Sequence, residues 1–111
     1  MSAMQRRKGR AFEQLVARDL RHVFEGERIA RGWQAREGDD APDIICPLLS
    51  PECKHQATPN IPKALEQAEK NRRQGTWPVA VTRRTGGEII ASMYWEDFLE
   101  LLKEHWELRN K

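Results

Sequence analysis

The sequence predicts an α/β fold, one domain over residues 1–111 with a mixed central β-sheet flanked by helices. Three observations carry this expectation. Both ends show apolar residues at helical spacing, Phe12, Leu15, Val16, Leu20, Val23 and Phe24 in the first stretch and Trp95, Phe98, Leu99, Leu102 and Trp106 in the last. Between them lie short apolar or β-branched runs punctuated by Pro and Gly. The chain has 111 residues of which 39% are hydrophobic, enough for one modest core and too apolar for a disordered polymer.

In chain order, the first helix is expected over 4–24, with Gly26 a stop near its end. A short strand is expected around 28–34, then a loop over 37–42 rich in acid and turn formers. Asp43-Ile44-Ile45-Cys46 reads as a buried strand. Pro47 and Pro51 fence a turn or bulge over 48–50, because proline cannot donate to a ladder. Glu52-Cys53-Lys54-His55 is the return strand of a hairpin. The next helix covers 63–74, capped by Gly75, and the strand over 77–82 is dense enough in β-branched residues to be central. Gly86-Gly87 is a hairpin turn, 88–93 a strand, and 95–108 the closing helix. The tryptophans, Trp33, Trp77, Trp95 and Trp106, are expected in the core, Trp33 alone being placed to stack on a splayed base.

No apolar run approaches the ~20 residues that cross a bilayer, and no apolar segment follows the basic N-terminus. The expected location is therefore the cytoplasm, in a bacterium or a phage-infected cell, with no membrane partner. Cys46 and Cys53 are too few for a disulfide framework or a zinc site and read as small core residues. A net charge of +2 hides an asymmetry: residues 1–36 carry nine Lys/Arg against four Asp/Glu, and residues 88–111 carry three against six. Arg6, Arg7, Lys8 and Arg10 make the N-terminal helix the expected nucleic-acid-binding surface.

Four residues suggest chemistry: Glu13, Asp43, Glu52 and Lys54. Strand alternation places Glu52 and Lys54 on one face, expected to be exposed, and Cys53 on the other. A hairpin would bring Asp43 beside Glu52. Two adjacent carboxylates call for a cation, and a hard divalent ion such as Mg²⁺, with Mn²⁺ as substitute, suits them. Lys54 beside that ion could hold a phosphate oxygen or orient a water. His55 faces away from Lys54 and reads as structural.

These residues resemble the P-D…E-x-K signature of the PD-(D/E)XK nucleases, with Pro42-Asp43 followed by Glu52-Cys53-Lys54. Arg7-Lys8-Gly9-Arg10-Ala11-Phe12-Glu13 resembles the R-K-G-x-x-x-E opening of archaeal Holliday-junction resolvases and their phage relatives. The resemblance runs from about Arg7 to Arg84 and leaves out the C-terminal helix. It implies a restriction-endonuclease-like core, with Glu13, Asp43, Glu52 and the backbone carbonyl of Cys53 as metal ligands and Lys54 acting on water. Gln67 is similar in position to the helix glutamine of the VRR-NUC and RecB-like branches, which implies a place near the substrate or the water.

The expected activity is thus Mg²⁺-dependent, structure-selective hydrolysis of DNA phosphodiesters, most like a Holliday-junction resolvase. Branched DNA is the expected substrate. Two symmetric cuts imply a homodimer, with the Trp-rich last helix as candidate interface. The alternatives are a VRR-NUC-type flap or branched-DNA nuclease, and a nucleic-acid-binding module that cleaves nothing.

Overall fold

The computed structural model describes residues 2–32 and 41–111. The expected strand residues 33–34, the loop over 37–40 and Trp33 lie outside the described residues. The elements are α1 (Ala3–Val23), β1 (Ala30–Arg31), β2 (Ile44–Ile45), β3 (Leu49–Gln56), α2 (Ile61–Lys70), β4 (Trp77–Arg84), β5 (Ile89–Ser92) and α3 (Trp95–Arg109), in the expected order. β3 and β4 run parallel, and β4 and β5 antiparallel, giving a mixed sheet with β4 in the centre. Parallel neighbours need a crossover, and α2 supplies it.

β3 and β4 are covered on both faces. α1 starts from a capping box: Gln5 N donates to Ser2 Oγ at 3.1 Å, and Ser2 N donates to Gln5 Oε1 at 3.0 Å. Its buried residues Phe12, Val16 and Ala17 share a cluster with Ile29, Ile44, Cys46 and Cys53. On the other face Ala64 and Leu65 of α2 pack on Ala80. α2 begins where the Asn60 side chain accepts from Lys63 N at 3.0 Å. It ends at Lys70 with Asn71 as cap, four residues short of the expected end. The chain turns there because Ser50 Oγ on β3 takes the Arg73 N–H at 3.0 Å and pairs with Thr76 Oγ1 at 2.7 Å.

The expected hairpin between the Asp43 and Glu52 strands is replaced by another pairing. β2 pairs antiparallel with β1, Ala30 opposite Ile45, and meets β3 through one backbone bond from Asp43 N to Pro51 O at 3.1 Å. Nor does Pro51 fence a turn, for β3 runs through it. Its carbonyl faces Asp43, so its missing N–H also points away from β4 and removes no bond from the β3–β4 ladder. Pro78 repeats the device in β4. Trp77 N donates to Leu48 O at 2.8 Å, so Pro78 N faces the β5 side, where pairing begins only at Ala80.

The turn itself is tight. Leu49 N donates to Pro47 O at 2.7 Å around Leu48, whose φ is +69°, a strained γ-turn for a β-carbon-bearing residue. Asn tolerates this region better, so Leu48→Asn should raise stability by up to ~1 kcal/mol, read as a higher urea midpoint. A lower midpoint would show that the half-exposed leucine contributes packing that outweighs its strain.

α3 breaks the expected pattern most clearly. None of its residues is buried: Trp95 and Trp106 are exposed instead of lying in the core, and Leu99 and Leu102 are exposed beside them. It is attached to the sheet by Trp77 Nε1 donating to Glu100 Oε1 at 3.0 Å. Among the described residues no helix is long and apolar enough to cross a membrane.

Candidate functional site

The site forms at the free edge of β3. Glu52 and Lys54 share a face, as alternation requires, and Lys54 Nζ lies 3.3 Å from Glu52 Oε2. That face is not exposed: Glu52 is 1% accessible. In the parallel register Glu52 sits beside Ala80, which packs under α2. The helix that covers the face thus shields the carboxylate, while Lys54 reaches further out and keeps about a third of its side chain accessible, 30%. A buried carboxylate is costly unless a cation or donors attend it, and Lys54 is one such cation.

Asp43 approaches from beyond the edge. It is buried, and its Oδ2 accepts the Cys53 N–H at 2.7 Å. Cys53 is the residue between Glu52 and Lys54, so this bond locks Asp43 to the middle of the E-x-K segment. The bond takes the place of a ladder partner that β2 is too short to offer. Asp43 is aimed by its own backbone as well, with its N–H on Pro51 and its carbonyl accepting Gly32 N at 2.7 Å. Gly32 is needed there: a β-carbon at that position would stand 1.9 Å from the Pro42 carbonyl oxygen.

Glu13 reaches the same neighbourhood from α1. Its ion-pair partner comes from β1 and not from its own helix. Arg31 Nε donates to Glu13 Oε1 at 2.8 Å, while Arg18 faces Asp19. The four charged groups surround Cys53. Its thiol is held well above its ordinary pKa, first by burial, then by Asp43, Glu13 and Glu52, with Lys54 acting in the opposite sense. Among the described residues no three His, Cys, Asp or Glu side chains converge as a ready metal cage. Gln67 is half-buried at the flank of the stripe Ala64, Leu65 and Ala68, which puts it on the helix over the Glu52 face.

Arg6, Arg10 and Glu13 recur at i, i+4 and i+7 on α1 and so form one line leading toward the site. Arg6, Arg7 and Arg10 are exposed. Lys8 is different: its Nζ donates to Thr85 Oγ1 at 3.0 Å, joining α1 to the β4–β5 turn. This contact, and the Arg31–Glu13 pair, were missed from sequence because the partners lie 77 and 18 residues apart.

His55 sits beneath this junction with its ring 5.4 Å from that of Phe12. Partial burial, then the charges of Lys8 and Arg83, lower its pKa from the ordinary 6.5. The unfolded chain therefore takes the proton more readily. The stability involved is fully present above pH 6.5 and is lost as pH falls through the lowered value. His55→Gln should flatten the fall of the urea midpoint between about pH 7 and 5. An unaltered pH profile would assign that fall to other groups.

No protein family, no curated protein and no solved structure matches the chain significantly. The functional reading therefore rests on the site alone.

Proposed function

We propose that the chain is a metal-dependent, structure-selective DNA endonuclease that hydrolyses phosphodiester bonds, acting as a homodimer on branched DNA. The observation that carries this reading is the Asp43 carboxylate seated on the Cys53 N–H between Glu52 and Lys54. Two buried carboxylates and an ammonium are brought to one strand edge at a cost in desolvation that a purely structural role does not require.

The donor set fits Mg²⁺. That ion keeps several waters and is commonly held by one or two carboxylates, so a three-ligand cage is not required. Asp43 and Glu52 would hold it, with the Cys53 carbonyl and Glu13 as further oxygen donors. Bound there, the ion would polarise a phosphoryl oxygen and supply hydroxide near neutral pH. Lys54, held by Glu52, would orient the attacking water and offset the charge that builds on the phosphoryl oxygens. Burial of Asp43 and Glu52 fixes them before substrate arrives. Gln67 would lie near the substrate side of the same face.

A module that binds nucleic acid without cutting it draws support from one observation, the engagement of Glu13 by Arg31. Incubation with a four-way junction, a flap and a linear duplex separates the two readings. Cleavage of branched DNA in Mg²⁺ or Mn²⁺, binding without turnover in Ca²⁺ and no cleavage in EDTA are expected. Binding without cleavage under every metal condition would establish the module instead.

The basic turn of α1 would hold phosphates without reading bases. Replacing Arg7, Lys8 and Arg10 together by Gln should reduce the slope of log affinity against log salt by up to about three, at ~0.9 per phosphate contact. Equilibrium binding to one junction and one duplex over a salt series measures it. An unchanged slope would move the DNA to Arg72, Arg73, Arg83 and Arg84.

A further inference from the structure

α3 has the sequence of a packed helix and the surroundings of an unpacked one. Trp95 and Trp106 are each 67% exposed and Leu102 is 46% exposed, all on the stripe that also carries Phe98 and Leu99. β5 next to it is an edge strand, and its consecutive residues Ile89 and Ile90 are 40% and 50% exposed. Successive strand side chains point to opposite faces, so β5 is apolar to solvent on both sides. The two elements are continuous, because Ala91, Ser92 and Met93 line one shallow hollow with Trp95 and Phe98. A second hollow lies at the other end of the helix, between Leu102, Trp106 and Arg109.

We propose that this surface seats a second copy of the chain, with the two α3 helices antiparallel about a two-fold axis. Area and charge both favour that occupant. Taking ~200 Å² for a fully exposed large side chain, the five α3 residues and the one β5 isoleucine on their side leave about 600 Å² of apolar surface open. The largest patch on an ordinary monomer is ~300–600 Å², while a stable interface covers ~800 Å² on each partner. The patch therefore stands at the upper end of what a monomer carries and approaches what a dimer needs. An isologous contact also turns the two-sided edge of β5 inward, where a lone chain would leave it open to aggregation.

Charge sets the direction. Residues 95–101 carry Glu96, Asp97 and Glu100 and no Lys or Arg, whereas residues 102–111 carry Lys103, Arg109 and Lys111 against Glu104 and Glu107. Parallel helices would set three carboxylates against three. Antiparallel helices set the acidic end against the basic one. They also bring the Trp106 end of each copy toward the Trp95 hollow of the other. This surface gives the homodimer of the proposed function its interface and rests on that part of the reading, but it holds none of Asp43, Glu52 and Lys54, so it is tested apart from the cleavage chemistry.

Sedimentation equilibrium across the micromolar range tests it. The wild-type chain should run at twice its 12.9 kDa. The double variant Leu102→Glu, Trp106→Glu should run as a monomer with an unchanged far-UV circular dichroism spectrum, since both residues are exposed in the single chain. A monomeric wild type, or a variant that stays dimeric, overturns the proposal. Cross-linking checks the direction without charge substitutions. Mixed Phe98→Cys and Trp106→Cys chains should form the mixed disulfide dimer, and Phe98→Cys alone should form little. Efficient self-linking of Phe98→Cys would make the helices parallel and overturn the proposal. Cleavage assays on the same samples keep the two questions separate, because a dimer that cuts nothing leaves this inference intact.

Discussion

Glu52→Gln should lower Mg²⁺-dependent cleavage by ~10²-fold or more while the melting curve moves little. The substitution keeps the shape of a side chain that is 1% exposed and removes only its charge. Lys54, its ion-pair partner, is accessible enough to be solvated, so its loss of a partner is mild. Asp43→Asn should behave alike, because the amide still offers an oxygen to the Cys53 N–H. The alanine variants are the wrong probes here. The sequence suggests a surface face that tolerates them, but Asp43→Ala leaves a buried N–H without its acceptor, a loss of ~1–3 kcal/mol that would blur chemistry with stability. Single-turnover cleavage of a labelled junction, beside thermal unfolding of each variant, makes the measurement. A Glu52→Gln variant that cuts at the wild-type rate would reduce the Glu52–Lys54 pair to a structural role.

Gly32→Ala should be the most damaging small substitution at the site. The added carbon would lie 1.9 Å from the Pro42 carbonyl oxygen, a backbone atom that cannot swing aside as a side chain would. Relief requires β1 to lift from β2, which breaks the bond from Gly32 N to Asp43 O at 2.7 Å. A loss of ~3 kcal/mol or more is expected, against a total of ~5–15 kcal/mol for a domain of this size. Asp43 would shift with its backbone, so residual folded protein should also cut poorly. Urea unfolding reads the first effect and cleavage at low temperature, where the variant stays folded, reads the second. Wild-type values in both would mean that the Gly32–Pro42 approach is not close in solution.

The element order was legible because apolar spacing and Pro/Gly punctuation are local. What escaped was set by distant partners. Burial of Glu52 depends on α2 crossing over β3, which strand alternation cannot reveal: it assigns a face and says nothing of what covers it. The early end of α2 depends on Ser50, 20 or more residues upstream, holding Arg73 and Thr76. Pro51 misled because a proline penalty applies to one side of a strand, and the side is fixed only by pairing. Trp95 and Trp106 of α3 were expected in the core and are exposed, although the same helix also read as a candidate interface, since periodicity marks an apolar stripe and says nothing of what covers it. Asp43, Glu52 and Lys54 were legible as a group because the E-x-K spacing is short. Glu13 was placed near them by resemblance, and its pairing with Arg31 had no local signal.

Cys53 gives the candidate site its own clock. Cys46 and Cys53 are free and buried, and burial raises both thiols, so a thiol reagent can reach them only when the structure opens. The Cys53 thiol lies in the cluster under α1 while its N–H holds Asp43, and its labelling rate therefore reports how often α1 and the strand edge come apart. If the proposed Mg²⁺ occupies the edge, it must leave before that opening, and labelling of Cys53 should slow in proportion to 1 + [Mg²⁺]/Kd. The ion's affinity can then be read in protein that has never met DNA, including variants that no longer cut it.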